Sequence, residues 1–248
     1  MTYKIAEKKR LAQRARASRQ RASLPEIVLL LIMLVVNSTP ILWGLVTSLK
    51  TRREILVYPP KFFNFTPSLE HYFNVFRNGL DIGMRNSLLY SACTIALGLV
   101  LGLLAAYGFE RYHFPFKKIL FYIVIAGIPL SIGSAAMLIP NYLYMMELGL
   151  TNKWYTLILL YTAYNLPMAI WIMKGGIEAI PLEIEDAALI DGCSRAYIIG
   201  RLIPRLILPS IASSALFLFI GAWNEFITAA VMIDSPELRS IQLVIYYF

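Results

Sequence analysis

Carboxylates are the side chains in this sequence with the most scope for chemistry, and they gather around one polar stretch, Ile180 to Pro209, in an apolar second half. They can transfer protons, bind a metal ion or contact a soluble partner. Proton transfer and metal binding need further converging groups, and His71 and His113 fall in loops predicted on opposite sides of a membrane. We therefore interpret the stretch as a surface that meets a soluble partner. Its acidic residues, including one just before it, are Glu178, Glu183, Glu185, Asp186 and Asp191.

The order of residues in this stretch predicts two short helices joined by a tight turn. Pro181 can begin a helix because its missing N–H would be unpaired in a first turn anyway. Ala187 and Ala188 carry almost no side chain, so a partner can approach that backbone closely. Gly192 is placed to end the first helix in the left-handed conformation, and Ser194 is placed to cap the second. We expect this unit to lie outside the bilayer, with the second helix leading back into it.

The same residues resemble a known motif. Asp186-Ala187-Ala188, followed after three residues by Gly192, resembles the EAA loop of ABC importer permeases of the maltose-type carbohydrate family. The first letter of that motif is usually Glu; here Glu185 stands beside Asp186 and preserves the charge. The Leu-Pro that usually follows the glycine is shifted, with Pro204 one residue early and Arg205 where proline is common.

The resemblance covers nearly all of the chain and implies a complete set of partners. In this family the loop is a coupling helix that docks in a cleft of an ATPase subunit. The chain would form half of a pore beside a second permease subunit, expected to be a different chain, with two ATPase subunits and an extracytoplasmic solute-binding protein. ATP and Mg would be used by the ATPase, since this sequence lacks a G-x-x-x-x-G-K-[ST] loop, and no cofactor is expected on this chain. The implied coupling residues, in a loop at 174–205, are Glu183, Glu185, Asp186, Ala187, Ala188, Asp191 and Gly192.

Composition indicates a membrane protein independently of any motif. The 248 residues are 58% hydrophobic and 15% charged, with a mean hydropathy of +0.62, whereas soluble domains are roughly a quarter charged. Cys93 and Cys193 lie in different contexts, a predicted span and the polar loop, and imply neither a disulfide nor a metal site.

The formal charge of +8 is placed as in a membrane protein rather than a nucleic-acid-binding one. Its densest cluster lies in residues 1–26, just before the first apolar run, where the positive-inside rule expects it. We interpret this segment as a cytoplasmic tail; a nucleic-acid-binding arm is the alternative. The expected location is a bacterial cytoplasmic (inner) membrane, with the chain crossing it several times in contact with lipid.

Residues 27–248 are predicted to form an all-α transmembrane permease domain. The resemblance implies about six transmembrane helices in the type I ABC importer permease fold. Eight residues from Ile241 to Phe248 cannot cross a bilayer, so the sixth helix is expected to be truncated or missing here. The five preceding spans are predicted at Ile27 to Leu49, Asn86 to Phe109, Ile119 to Met146, Trp154 to Met173 and Leu206 to Ile233.

Two stretches around the second span are informative. Lys50 to Arg85 is predicted to be an outer loop, which either faces a soluble partner or sister subunit or is a plain connection. The second span is rich in small residues, which let helices pack closely in lipid. Its Asn86-Ser87 start and its Ala106-Tyr107-x-x-x-Arg111 finish also resemble the permease family.

Polar side chains and prolines in the third, fourth and fifth spans mark a candidate substrate path, because irregular backbone at membrane depth must face protein or a water-filled cavity. Tyrosine and asparagine suit sugars, and Trp223-Asn224-Glu225-Phe226 resembles the carbohydrate permease pattern. The alternatives are hydrogen bonding between helices and, for Glu225, a place at the outer interface. The candidate residues are Asn141, Tyr144, Tyr164, Asn165, Trp223, Asn224 and Glu225.

The sequence therefore predicts a permease subunit of an ATP-driven, binding-protein-dependent carbohydrate importer, and not an enzyme. Two alternatives are an integral membrane enzyme using Asp186, Asp191 or His113, and a passive channel without an ATPase partner. The identity of the carbohydrate, and whether the two permease chains are identical, do not follow from the residues.

Overall fold

The computed structural model describes residues 23–55, 57, 58, 65–131 and 135–247. Most of the predicted basic tail, and the Pro59-Pro60 and Phe62-Phe63 pairs of the predicted outer loop, lie outside the described residues. The chain divides into two compact units, residues 1–73 and 74–248.

The first unit contains helix α1, Leu24–Ser48, and the short helix α2, Arg52–Ile55. α1 starts three residues before the predicted span because Pro25 occupies its first turn and the Glu26 carboxylate accepts a hydrogen bond from the Ser23 N–H at 2.9 Å. None of its side chains is buried within the unit, as expected for a helix that faces lipid or other subunits. Beyond α1, the Glu54 carboxylate in α2 accepts hydrogen bonds from Thr51 and from Thr66. These bonds hold the pKa of Glu54 below its ordinary value.

The helix that links the two units and those of the second unit are listed here in chain order. They are α3 Glu70–Arg77, α4 Leu80–Arg111, α5 Lys117–Ser131, α6 Ala135–Glu147, α7 Trp154–Glu178, α8 Leu182–Ile190, α9 Arg195–Leu206, α10 Leu208–Asn224, α11 Ile227–Met232 and α12 Ile241–Tyr247. All the regular secondary structure of the described residues is helical, with no strand among them, which confirms the all-α class.

Helices α4, α7 and α10 pack against one another and form the core, with α5 against α7 and α12 against α4. Small residues permit this closeness, as predicted for the second span. A Cβ on Gly98 would lie 2.7 Å from Cδ2 of Leu218 in α10, and Gly102 faces Ala169 of α7. One apolar cluster surrounds Met173 and Leu218. A second surrounds Tyr161 and includes Tyr90, near the N-terminal end of α4.

Two predicted spans are not described as single helices. The third, at 119–146, is covered by α5 and α6, and residues 132–134 between them lie outside the described part. The fifth, at 206–233, is broken twice. α9 and α10 meet at Ile207 with an 84° bend, because Pro209 begins a new first turn, and Glu225 and Phe226 separate α10 from α11.

By length and composition, three described helices can cross a membrane: α1, α4 and α7. The bent α9–α10 pair is a fourth if it forms one span. α4 has 32 residues and is therefore about 48 Å long, more than the roughly 30 Å of hydrocarbon. It is therefore long enough to reach from one side of a bilayer to the other.

Candidate functional site

Helix α8 and its turn form as the local sequence predicts. Pro181 precedes the helix, and Gly192, with φ at +84°, ends it. The Gly192 N–H donates to the Leu189 carbonyl at 3.0 Å, and the Cys193 N–H donates to the Ala188 carbonyl at 2.9 Å. This pair of bonds is a Schellman motif, which satisfies the last carbonyls of α8.

Helix α9 begins at the predicted cap. The Ser194 hydroxyl accepts a hydrogen bond from the Tyr197 N–H at 3.2 Å. A π-helical turn, Ile198–Leu202, follows, and Ile198 and Ile203 are fully buried in the apolar cluster shared with α4 and α7. The α8–α9 unit is thus attached to the helical core along its inner side.

Glu185 lies on that inner side and is buried. Its carboxylate accepts hydrogen bonds from Nε of Arg111 at 2.6 Å and from the hydroxyl of Tyr107 at 2.8 Å. The side chains of Arg111 and Glu185 are only 9% and 8% exposed. A charge so removed from water needs its partner, because an unpaired buried charge is costly.

Arg111 also contacts the end of α7 and the residues after it. Its Nη2 donates to the carbonyl of Ile177 at 3.1 Å and to that of Ile180 at 2.9 Å. One guanidinium therefore joins the C-terminal ends of α4 and α7 to the side of α8. We call Tyr107, Arg111 and Glu185, with the Ile177 and Ile180 carbonyls, the α4–α8 clamp.

A second ion pair beside the clamp is more exposed. Nζ of Lys174 lies 2.8 Å from Glu110 and 3.0 Å from Glu178, over the ring of Phe121. The Lys174 and Glu110 side chains are 20% and 19% exposed. This pair joins α4 to α7, and among the described residues neither ion pair of Lys174 involves a residue of α8.

The outer side of the α8 unit mixes acidic and apolar groups. The predicted residues Glu183, Asp186, Ala187, Asp191 and Gly192 are exposed, and Ala188 is half-buried beneath them. None of these carboxylates forms an ion pair within the described part of the chain. Exposed apolar side chains accompany them, Leu182 at 56% and Ile190 at 86%. Such a surface suits contact with another protein.

The predicted path residues fall into separate groups. Asn141 of α6 donates to the hydroxyl of Tyr164 of α7 at 2.8 Å, while Tyr144 is exposed. Asn165 donates to the carbonyl of Tyr161 at 2.7 Å and lies against Gly221 of α10. The structure therefore brings Asn141 and Tyr164 together and turns Asn165 towards another helix.

Glu225 occupies the break between α10 and α11. Its carboxylate accepts hydrogen bonds from the Thr228 N–H and hydroxyl and from the Ala229 N–H, so it caps α11. The adjacent Trp223 ring stacks on Phe219 with centroids 5.4 Å apart, and the Asn224 side chain is exposed.

The family described as "Binding-protein-dependent transport system inner membrane component" matches residues 98–246. That range includes the α4–α8 clamp, the α8–α9 unit and the helices with the candidate path residues. The chain belongs to this family. It is a permease subunit of an ATP-driven importer, and ATP hydrolysis belongs to a partner.

Named relatives of this permease support the same assignment. It is 32% identical over 211 residues to a sulfoquinovosyl glycerol transport system permease protein of Agrobacterium fabrum, covering 85% of this chain and 73% of the relative. It is 30% identical over 223 residues to a diacetylchitobiose uptake system permease protein of Streptomyces coelicolor, covering 88% and 72%. An osmoprotective compounds uptake permease protein of Synechocystis is 28% identical over 240 residues, covering 93% and 79%.

A solved structure confirms the fold. The permease aligns with a chain from the crystal structure of a bacterial ABC transporter involved in the import of the acidic polysaccharide alginate, with a TM-score of 0.71. The alignment covers 89% of this chain and 76% of that chain at 22% identity. The predicted ABC permease fold is therefore correct.

The clamp is the part of the site that sequence reasoning missed. The Ala106-Tyr107-x-x-x-Arg111 segment was a visible signal, since it resembles the family, but its partner lies 74 residues away in sequence. Glu185 was predicted among the coupling residues as an extra charge beside Asp186. The structure places it inward, bonded to Tyr107 and Arg111.

Proposed function

We propose that this permease imports a carbohydrate or polyol and that the α8–α9 unit docks on the ATPase. The names of two relatives described above refer to glycosylated or sugar-derived solutes, sulfoquinovosyl glycerol and diacetylchitobiose. Further proposed partners are a second permease chain, expected to differ from this one, and an extracytoplasmic solute-binding protein. The ATPase pair would bind the ATP and Mg.

The observation that carries the docking proposal is the difference between the two sides of α8: one is bonded to the core and the other is exposed. Its inner side is fixed by Glu185, while its outer side exposes Glu183, Asp186, Asp191 and Ile190 without an ion pair among the described residues. A helix held firmly on one side and open on the other can carry a displacement from a partner into the core. ATP-driven closure of the ATPase pair would shift α8 and thereby change access to the pore.

Orientation follows from this docking. If α8 meets a cytoplasmic ATPase, then the C-terminal end of α4 and the basic N-terminus are cytoplasmic. The N-terminal end of α4, about 48 Å away, is then external, together with the turn at residues 234–240. The external binding protein would deliver substrate at that end.

We further propose that Asn141, Tyr144, Tyr164, Asn165, Trp223, Asn224 and Glu225 line or shape the substrate path. The support is the helix break at Glu225, which places a carboxylate and non-helical backbone between α10 and α11. Non-helical backbone at membrane depth belongs beside protein or a cavity. Glu225 has the strongest case, because its carboxylate lies at that break.

The first test is to isolate the complex through a tag on this chain, with Gly192→Val beside the parent. Val at a φ of +84° is strained by about 1–2 kcal/mol or more, so we expect the α8 turn to change shape and the ATPase to dissociate or become uncoupled. Gly200→Ala is the matched control, because Gly200 lies in α9 with open space around it.

The possible results of this test distinguish a docking role for α8 from its absence. Recovery of an ATPase with the parent and the Gly200→Ala variant, and its loss or uncoupling with Gly192→Val, supports the docking role. Equal recovery and equal ATP hydrolysis in all three would exclude the α8 turn from coupling. A parent chain that is isolated without any ATPase would overturn the proposed assembly.

A further inference from the structure

We infer that the α4–α8 clamp is the transmission element of this permease: Arg111 is a positioning residue that passes displacement of α8 to α4 and α7 together. The inference rests on the proposed docking of α8 on an ATPase. It adds which residues carry the motion onward and which helices receive it.

The chain connections of α8 show why such an element is needed. Covalently, α8 continues only into α7 through Ala179 to Pro181 and into α9 through Asp191 to Ser194. α4 is distant in sequence and can follow α8 only through non-covalent contacts. Within the described part of the chain, α4 donates hydrogen bonds to α8 from Tyr107 and Arg111, and both bonds end on Glu185.

The geometry of Arg111 makes this contact directional. Its guanidinium is planar and presents several donors in a fixed arrangement. Nε is bonded to Glu185, and Nη2 is bonded to the Ile177 and Ile180 carbonyls. A displacement of Glu185 therefore pulls on α4 and on the end of α7 at once, whereas a lysine could keep the ion pair without the carbonyl contacts.

Burial distinguishes the clamp from an ordinary surface ion pair. Arg111 and Glu185 have little contact with water, so water cannot readily replace either partner as α8 moves. The neighbouring Lys174–Glu110 pair is more exposed and does not reach α8. It holds the same two helices, α4 and α7, and so serves as the matched control.

The test measures whether nucleotide binding by the ATPase, which would dock at α8, changes the accessibility of a residue near the N-terminal end of α4. In a background with Cys93→Ala and Cys193→Ala, a single reporter cysteine, Ser235→Cys, is placed in the turn next to α11. The tagged complex is isolated with its partners, and the rate of labelling by a membrane-impermeant maleimide is compared with and without ATP and vanadate. The thermal midpoint of each complex is measured in parallel.

Three variants are compared with the parent. Arg111→Lys should retain assembly but lose most of the nucleotide-dependent change in labelling. Arg111→Met combined with Glu185→Leu removes both charges, so the complex should keep its thermal midpoint yet lose the nucleotide response. Lys174→Met should keep the response. A purely structural clamp would leave the response intact whenever the midpoint is intact.

The result that overturns the inference is a parent-like nucleotide response in the thermally intact Arg111→Met/Glu185→Leu complex. Loss of the response in Lys174→Met as well would also overturn it, because the effect would then belong to any α4–α7 contact. Failure of the proposed function has a different signature, since the parent itself would then lack an ATPase or show no response to nucleotide.

Discussion

At its C-terminal end α4 is held by charged side chains, whereas at its N-terminal end it is held by neutral ones. Arg111 meets the Glu185 carboxylate at 2.6 Å at the first end. At the second, Asn86 donates to the carbonyls of Glu237 and Arg239 at 2.7 and 3.0 Å, and Tyr90 donates to that of Leu238 at 2.9 Å.

The two ends also differ in what is bonded. Besides the Arg111 bonds to the Ile177 and Ile180 carbonyls, the clamp joins side chains of α4 to the Glu185 side chain on a separate helix, so the whole of α8 must move with Glu185. At the opposite end, α4 side chains bond the backbone of the turn before α12, and the Ser87 hydroxyl accepts from the Ile241 N–H at 2.8 Å. The difference teaches that one helix can carry a charged link to a single side chain at one end and several neutral bonds to backbone at the other.

Glu185→Leu should have the largest effect on stability. It leaves the Arg111 charge buried without its carboxylate, which we expect to cost about 3–5 kcal/mol and to lower the thermal midpoint of the purified complex. Adding Arg111→Met should restore most of the loss, because a buried ion pair replaced by apolar groups is often neutral. The exposed Glu183→Gln is the control, and an equal midpoint for Glu183→Gln and Glu185→Leu would contradict the comparison.

Asn86→Ala should have an intermediate effect. It removes two neutral hydrogen bonds and leaves the Glu237 and Arg239 carbonyls without that donor, at a cost of about 1–3 kcal/mol. The measurement is again the thermal midpoint, with the exposed Asn78→Ala as control. ATP hydrolysis per complex should be unchanged, and a loss of coupling here as large as that of Arg111→Lys would erase the distinction between the two ends.

Lys174→Met should have the smallest effect. The Lys174–Glu110 pair is partly exposed, so its contribution is about 0.2–1 kcal/mol and is weakened by salt. The midpoint difference between parent and variant should therefore shrink as ionic strength rises, while the Glu185→Leu difference should persist. A salt-independent Lys174 effect would show that this pair is shielded as well as the clamp is.

Local backbone chemistry explains what the sequence predicted correctly. The α8 turn depends on residues within a few positions of each other: Pro181 at the start, Gly192 at the left-handed end and Ser194 at the next cap. The small residues of α4, such as Gly98, likewise predicted close packing without naming the partner. Apolar run length predicted α4 and α7 as spans, although both extend beyond the expected bounds.

Continuous apolar sequence explains what the span predictions missed. The run from Leu206 to Ile233 contains no polar gap long enough to suggest two breaks. The bend at Ile207 and the break at Glu225 arise because Pro209 begins α10 and the Glu225 carboxylate caps α11. Both causes are local, but hydropathy does not register them.

By itself, the sequence determined the helical class, the membrane setting, the form of the α8–α9 unit and the resemblance to importer permeases. Those properties depend on composition and on neighbours a few residues apart. Only the tertiary structure decided that Glu185 turns inward to Arg111 while Glu183 and Asp186 stay outside. The reason is physical: the rotation of α8 about its axis is set by packing against α4, whose Arg111 is 74 residues away.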